Sequence, residues 1–339
     1  MNTRLLPEEI TRYFGDQSVT DILVNNNTEV WIERAGNLER GVDLLPGQIE
    51  TALEKILTPL GRRLDRLSPI VDARLPDGTR VCAVIHPIAV HGTCVAFRLF
   101  RKVAFSISDF VPPEHETHLT EVMHTVLEST ENILITGATG SGKTSLLAAM
   151  MSIPHDIERF VVLEDTHELT VQHPHMVRLE TRSATAEGRG QITMDDLLRT
   201  ALRLRPDRLV VGEVRGIEAL TLVQAMNTGH SKCLATLHAN SAIDGLHRLD
   251  LLTMQAAPGW ALLDARHMVS SAIGFVIHMK RQRHGARVIA EVAHLNGDVD
   301  GSTTRVDYLH HWYECPRFLF SIHRTTTHQA SAHTSNLIQ

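Results

Sequence analysis

Over the first 111 residues, apolar positions gather in short strand-like segments set between polar turns. Residues 21–25, 29–33, 79–85 and 93–99 read this way, and Pro76-Asp77-Gly78 supplies a tight turn just ahead of the third. Among them Ile49, Leu53, Ile56, Leu57 and Leu60 recur at helical spacing, with Gly61 placed to end the helix. Short strands with few helices predict an antiparallel sheet in an α+β domain. Pro112-Pro113 follows; consecutive prolines lack N–H donors and stiffen the chain, which predicts a linker.

Beyond the linker the rhythm changes. Leu119, Val122, Met123, Val126 and Leu127 mark an amphipathic helix. Then come apolar runs at 133–135, 160–163, 209–211 and 233–237, without alternation, as strands buried on both faces of a mainly parallel sheet require. A helix is expected over 194–204, with Thr193 as N-cap and Asp196 three residues later, close to a capping box. From Gly297 the chain is rich in Thr, Ser and His, and 325–339 has no periodic apolar positions, so a loosely ordered end is expected. The predicted architecture is α/β: an N-terminal α+β domain (1–111), a P-loop α/β domain (112–296) and a variable tail (297–339).

Composition narrows the field only modestly. The 339 residues carry 33 Lys+Arg against 39 Asp+Glu, and 33 − 39 gives a net charge of −6. Such a chain is a poor generic polyanion binder, and with aromatics at 4% it offers few stacking platforms, so nucleic acid is not an expected partner. The cysteines Cys82, Cys94, Cys233 and Cys315 form no C-x-x-C pair, which fits a reducing compartment. No secretory leader opens the chain, and no apolar run approaches the ~18 residues of a membrane-spanning helix. A cytoplasmic location is expected.

The chemistry sits at Gly137-Ala138-Thr139-Gly140-Ser141-Gly142-Lys143-Thr144, which matches G-x-x-x-x-G-K-[ST] and continues into Ser145. It follows a buried strand and precedes a helix containing Leu146, Leu147, Met150 and Met151, the context the motif needs. Glycines let main-chain N–H groups close around phosphate oxygens, and the helix N-terminus adds its positive end. Lys143 would reach the β- and γ-phosphates and the Thr144 hydroxyl would ligate Mg²⁺, so ATP and Mg²⁺ are the expected cofactors.

Hydrolysis needs carboxylates beside that loop. The strand 209–211 runs into Gly212-Glu213, where Glu213 would act on the Mg²⁺ shell, in part through water. The strand 160–163 runs into Glu164-Asp165, with Glu168 just beyond. His230 precedes the run 233–237 and His238 ends it, so both are candidates to sense the γ-phosphate; the bland alternative is that they cap a core strand. Histidines at His115-x-x-His118, His173-Pro174-His175 and His310-His311 lack H-E-x-x-H or neighbouring cysteines, and no transition-metal site is expected.

Taken together, the P-loop, 160–168 (FVVLEDTHE), 204–216 (LRPDRLVVGEVRG) and 228–240 resemble the type II/type IV secretion ATPases, in which they are the Walker A motif, Asp box, atypical Walker B and His box. Residues 71–87 and 178–230 are similar to the Tad/Flp pilus assembly ATPases, the CpaF group. The resemblance runs from about Asp16 to His294. It implies a PAS-like N-terminal domain before a RecA-like ATPase domain. It further implies a hexameric ring, and work delivered to inner-membrane platform proteins of a pilus or secretion system. By the same resemblance Glu164 would be the general base or water-orienting group, Glu213 the Walker B acid, and His230 and His238 would couple nucleotide state to strand position. Arg98, and less directly Arg101, would close onto the γ-phosphate. His86-Pro87 and His230-Ser231-Lys232 depart from the family's usual text without removing a phosphate-handling group. A DNA-transfer ATPase of the same fold and a non-hydrolysing nucleotide switch are the alternatives.

Overall fold

A computed structural model describes residues 5–34, 36–99, 105–153, 158–169, 171–182, 184, 188–282, 285–300 and 303–312. The N-terminal domain comprises α1 (Glu8–Phe14), β1 (Val19–Asn25), β2 (Glu29–Arg34), β3 (Asn37–Arg40), α2 (Gln48–Leu57), β4 (Ile70–Arg74), β5 (Arg80–Val84) and β6 (Cys94–Arg98). Its strands form a six-stranded sheet in the order β3-β2-β1-β6-β5-β4, with every neighbouring pair antiparallel. One face packs under the helices: Ile10, Ile49, Leu53 and Leu57 are buried against Ile22, Val24, Val81 and Phe97. Gly61, at φ 63°, ends the 3-10 turn that extends α2, in the left-handed conformation glycine adopts without strain.

The second domain begins with α3 (Glu116–Glu128) and β7 (Ile133–Gly137). It continues through α4 (Lys143–Met151), β8 (Phe160–Glu164), β9 (Met176–Glu180), α5 (Met194–Ala201), β10 (Arg208–Val211), α6 (Glu218–Asn227) and β11 (Leu234–His238). It closes with α7 (Ala242–Ala256), α8 (Leu262–Ala272), β12 (Phe275–Arg281), β13 (Arg287–Asp300) and β14 (Thr303–His311). The eight-stranded sheet runs β14-β13-β12-β7-β11-β10-β8-β9. It is parallel from β12 to β9 and antiparallel at β12-β13-β14. Its apolar runs do face two cores. Leu134 packs on the side of α5 to α8, with Leu198, Leu222 and Leu246, while Ile133 and Ile135 pack against α3 and α4 through Leu119, Met123, Leu146 and Met150.

Local signals are realised where a short contact carries them. Thr193 Oγ1 accepts from the Asp196 N–H at 3.2 Å, and Asp196 Oδ2 accepts from the Thr193 N–H at 2.9 Å, a reciprocal cap that starts α5. The end of the chain differs from expectation. β13 (287–300) runs through Gly297 and pairs with β14 (303–311), where the sequence predicts loose order. β13 is held by pairing with β12, and β14 by pairing with β13, contacts that Thr, Ser and His content does not report. Residues 325–339 lie outside the described residues.

One buried group in this hairpin has an acid-stability consequence. His310 is 4% exposed, with its ring 5.2 Å from that of His115 and 5.9 Å from that of His118. Burial first, then the neighbouring His115, His118 and His311, pull its pKa down from 6.5 to about 4. The unfolded chain therefore binds the extra proton between those values. Native stability should fall by about 3 kcal/mol as pH drops from 6.5 to 4. Urea unfolding across that range should show His310→Leu with a flatter acid limb than the parent; equal slopes would contradict the assignment.

Candidate functional site

The strand β7 delivers the glycine-rich loop, and α4 begins at Lys143 with Gly142 as its N-cap. Gly140 (φ 72°) and Gly142 (φ 101°) hold left-handed conformations that side chains avoid. At Gly142 an added Cβ would also lie 2.9 Å from Arg287 Cδ. Lys143, only 7% exposed, donates to Gly137 O at 3.0 Å and Ala138 O at 3.1 Å. Burial draws its pKa down from 10.5 to about 8, against the opposing pull of Glu213. An ammonium resting on the loop's own carbonyls and partly desolvated is poised to exchange them for phosphate oxygens. Ser141 Oγ is buried in the same loop without a hydrogen-bond partner among the described residues. Thr144 and Ser145 occupy the first turn of α4, and with Thr139, Gly140, Gly142 and Lys143 they line an open cleft.

Register explains which acids and imidazoles come near. The strands β11 and β7 pair with His238 opposite Gly137, so His238 stands beside the loop. Its Nδ1 is 3.0 Å from Lys143 Nζ and its Nε2 2.8 Å from Glu213 Oε1. An ammonium only donates, so Nδ1 accepts from Lys143 and the ring's proton sits on Nε2, on the side of Glu213 but not aimed well enough at Oε1 for a hydrogen bond. Burial, then the Lys143 charge, lowers its pKa accordingly. Glu213 Oε2 accepts from Arg215 at 2.7 Å, and Arg215 also pairs with Asp165 at 3.2 Å. Of the two candidate γ-phosphate sensors, His238 stands beside the loop and His230 lies at the other end of β11. His230 precedes β11, where its N–H bonds Ala225 O and the Lys232 N–H bonds Thr130 O, at the end of the strands away from the loop. A strand of five residues at ~3.3 Å per residue separates the two ends by ~13 Å.

Glu164 ends β8 and is 4% exposed. Its Oε1 accepts the N–H groups of Glu168 (2.8 Å) and Leu169 (2.9 Å), and its Oε2 lies 3.0 Å from His167 Nδ1. The carboxylate anchors the following loop, and the loop presents His167 and Glu168 to the cleft. A sequence gives no sign of such main-chain capture.

The cleft, about 820 Å³, lies between the two domains. Arg98 reaches it from the last residue of β6, paired with Asp21 at 3.1 Å; Arg101 lies outside the described residues. Three more arginines line it that belong to none of the sequence motifs: Arg80, Arg281 and Arg287. Arg80 is directly opposite Arg98 in the β5-β6 register and pairs with Glu168 at 2.8 Å, while Arg74 pairs with Glu180 at 3.2 Å. Both ion pairs tie the N-terminal sheet to the P-loop domain. The position of Arg80 in the conspicuous stretch 71–87 was the available clue.

Fold and cradle together define a P-loop ATPase with an N-terminal antiparallel-sheet domain. Residues 7–309 match the family described as type II/IV secretion system protein, and the chain belongs to that family. It is 34% identical over 311 residues to a putative conjugal transfer protein of Mycobacterium tuberculosis, covering 86% of this chain and 87% of that one. It is 31% identical over 299 residues to the conjugal transfer protein TrbB of Rhizobium radiobacter, covering 86% and 88%. Among solved structures, the pilus retraction motor PilT with bound ADP is similar in fold, with a TM-score of 0.62, 22% identity, and 85% and 82% of the two chains covered. Among the described residues no helix is long and apolar enough to cross a membrane.

Proposed function

We propose that this chain is the ATP-hydrolysing motor of a type IV secretion machine of the conjugal-transfer kind, working as a homo-hexameric ring on the cytoplasmic side of inner-membrane platform proteins. The observation that carries the motor reading is the cleft itself, with the P-loop on one wall and the Arg80–Arg98 pair on the other. A triphosphate in the P-loop would draw those arginines across and close the domains, with residues 110–114 as hinge between bodies 1–111 and 112–296. The conjugal-transfer names of relatives similar over most of both chains favour DNA transfer over the Tad/Flp pilus assignment. The text of 71–87 and 178–230 keeps a Tad/Flp motor as the second reading. With a net charge of −6 the chain itself is not expected to grip DNA.

The donor set suits Mg²⁺, a hard cation that takes oxygen ligands and keeps several waters. Thr144 offers a hydroxyl in the first turn of α4, and Glu213 Oε1 is buried without a well-directed hydrogen bond. Thr144 would hold the ion directly and Glu213 through water, since Glu213 is already bound by Arg215. When bound, the ion neutralises charge on the phosphates. The chain's own groups do the rest. Lys143 and the loop amides bind, Arg98 and Arg80 face the terminal phosphoryl, and Glu164 fixes the loop that positions water.

Phosphate release by purified protein tests this reading. Glu164→Gln keeps an acceptor for the two loop amides but loses the charge that fixes His167. It should bind ATP normally and lower turnover by ~10²-fold or more. Unchanged turnover in this variant would remove Glu164 from the mechanism, and no turnover in the parent would remove the motor assignment.

A further inference from the structure

The hairpin between β12 and β13 ends on a second cross-strand pair of arginines. Arg281 is directly opposite Arg287 in its register, so both side chains leave the same face. Like charges directly opposite one another destabilise a sheet, and these two lie beside the N-terminus of α4, itself the positive end of a helix. Neither guanidinium has an ion-pair partner among the described residues. Arg287 Nη1 reaches only Ser145 Oγ, at 3.4 Å, and Glu33 is the one acid whose charge opposes its loss of charge on burial. The guanidinium of Arg281 rests against the N-terminal domain, where a side chain at Gly36 would strike it.

The two pairs differ in what they can touch. Arg80 and Arg98 belong to the N-terminal sheet. Arg281 and Arg287 belong to the P-loop's own sheet and sit over the loop backbone. Arg287 packs its stem on Gly142, and Arg281 Nη1 comes 3.8 Å from where a Gly140 Cβ would stand. P-loop amides at these positions cradle the α- and β-phosphates. Resting on the nucleotide-binding reading, we infer that Arg281 and Arg287 clamp the α- and β-phosphates, so the diphosphate is held within one domain while the γ-phosphate is read by the other. A polyanion there relieves the repulsion that the empty register imposes. The clamp grips product as firmly as substrate, and ADP release becomes a step governed by this hairpin.

Calorimetric titration of the full chain with ADP and with a non-hydrolysable ATP analogue separates the alternatives. Arg281→Ala and Arg287→Ala should each raise Kd by ~10-fold or more, equally for both nucleotides, as expected for charge-assisted hydrogen bonds. Arg98→Ala should weaken the ATP analogue alone. Arg287→Lys, which keeps the charge, should recover part of the loss and guards against misfolding as the cause. ADP affinity within twofold of the parent in both alanine variants, or a loss confined to the ATP analogue, would overturn the clamp. The nucleotide site itself would survive that outcome as long as the parent binds and Lys143→Ala does not.

Discussion

Arg98→Ala should lower kcat by ~10³–10⁵, the range for arginine fingers, while leaving ADP affinity and folding stability near those of the parent. The separation follows from where the side chain sits. Its guanidinium is 60% exposed and pairs only with Asp21 among the described residues, an exposed-type contact worth ~0–1 kcal/mol. Stability therefore has little to lose. Catalysis has much, because Arg98 and Arg80 form a like-charged cross-strand pair facing the cleft, and the developing charge on a transferring phosphoryl group is what such a pair can meet. Arg98→Lys should restore only part of the rate, since an ammonium lacks the planar fork that binds two oxygens at once. Single-turnover phosphate release beside a urea melt checks both halves. A large loss of stability with little loss of rate would make Arg98 a strut between strands.

Lys143→Ala should abolish measurable turnover, with a loss of at least ~10²–10³ in kcat, the cost of removing a donor aimed at developing charge. In the absence of nucleotide the ammonium is held by Gly137 O, Ala138 O and His238 Nδ1. Burial has already lowered its pKa to about 8, so part of its hydration is gone before phosphate arrives and little reorganisation remains. The loss should appear in nucleotide binding as well as in rate, unlike that of Glu164→Gln. Nucleotide affinity and rate equal to the parent's would rule out the loop as the phosphate cradle.

What the sequence made legible was local. The glycine loop, the Glu213 strand end and the Thr193–Asp196 cap are each complete within a few residues, so spacing alone exposes them. Unbroken apolar runs announced a sheet buried on both sides, and two cores do flank β7. What stayed hidden depends on register between strands. The pairings Arg80–Arg98 and Arg281–Arg287 place four arginines about one cleft, and spacing along the chain does not report which strand register sets them opposite one another. The same holds for His238, brought to the loop by pairing with Gly137, and for His230, left at the other end of β11. The strands β3, β4, β9, β12, β13 and β14 lacked a clear signal because they lie at edges or join the sheet by long-range pairing. The subtype was harder still. Motor motifs are shared across secretion and pilus machines: text near Arg80 resembles Tad/Flp motors, while relatives similar over most of the chain carry conjugal-transfer names.

The central claim is that one triphosphate is held between two domains, by main-chain amides on one side and arginines on the other. A crystal structure with Mg²⁺ and a non-hydrolysable ATP analogue tests it most directly. The β-phosphate should lie within hydrogen-bond reach of the amides of residues 140–144, with Lys143 turned from Gly137 O onto phosphate and Arg98 facing the γ-phosphate. Nucleotide bound elsewhere, or an empty loop at saturating analogue, would contradict the account.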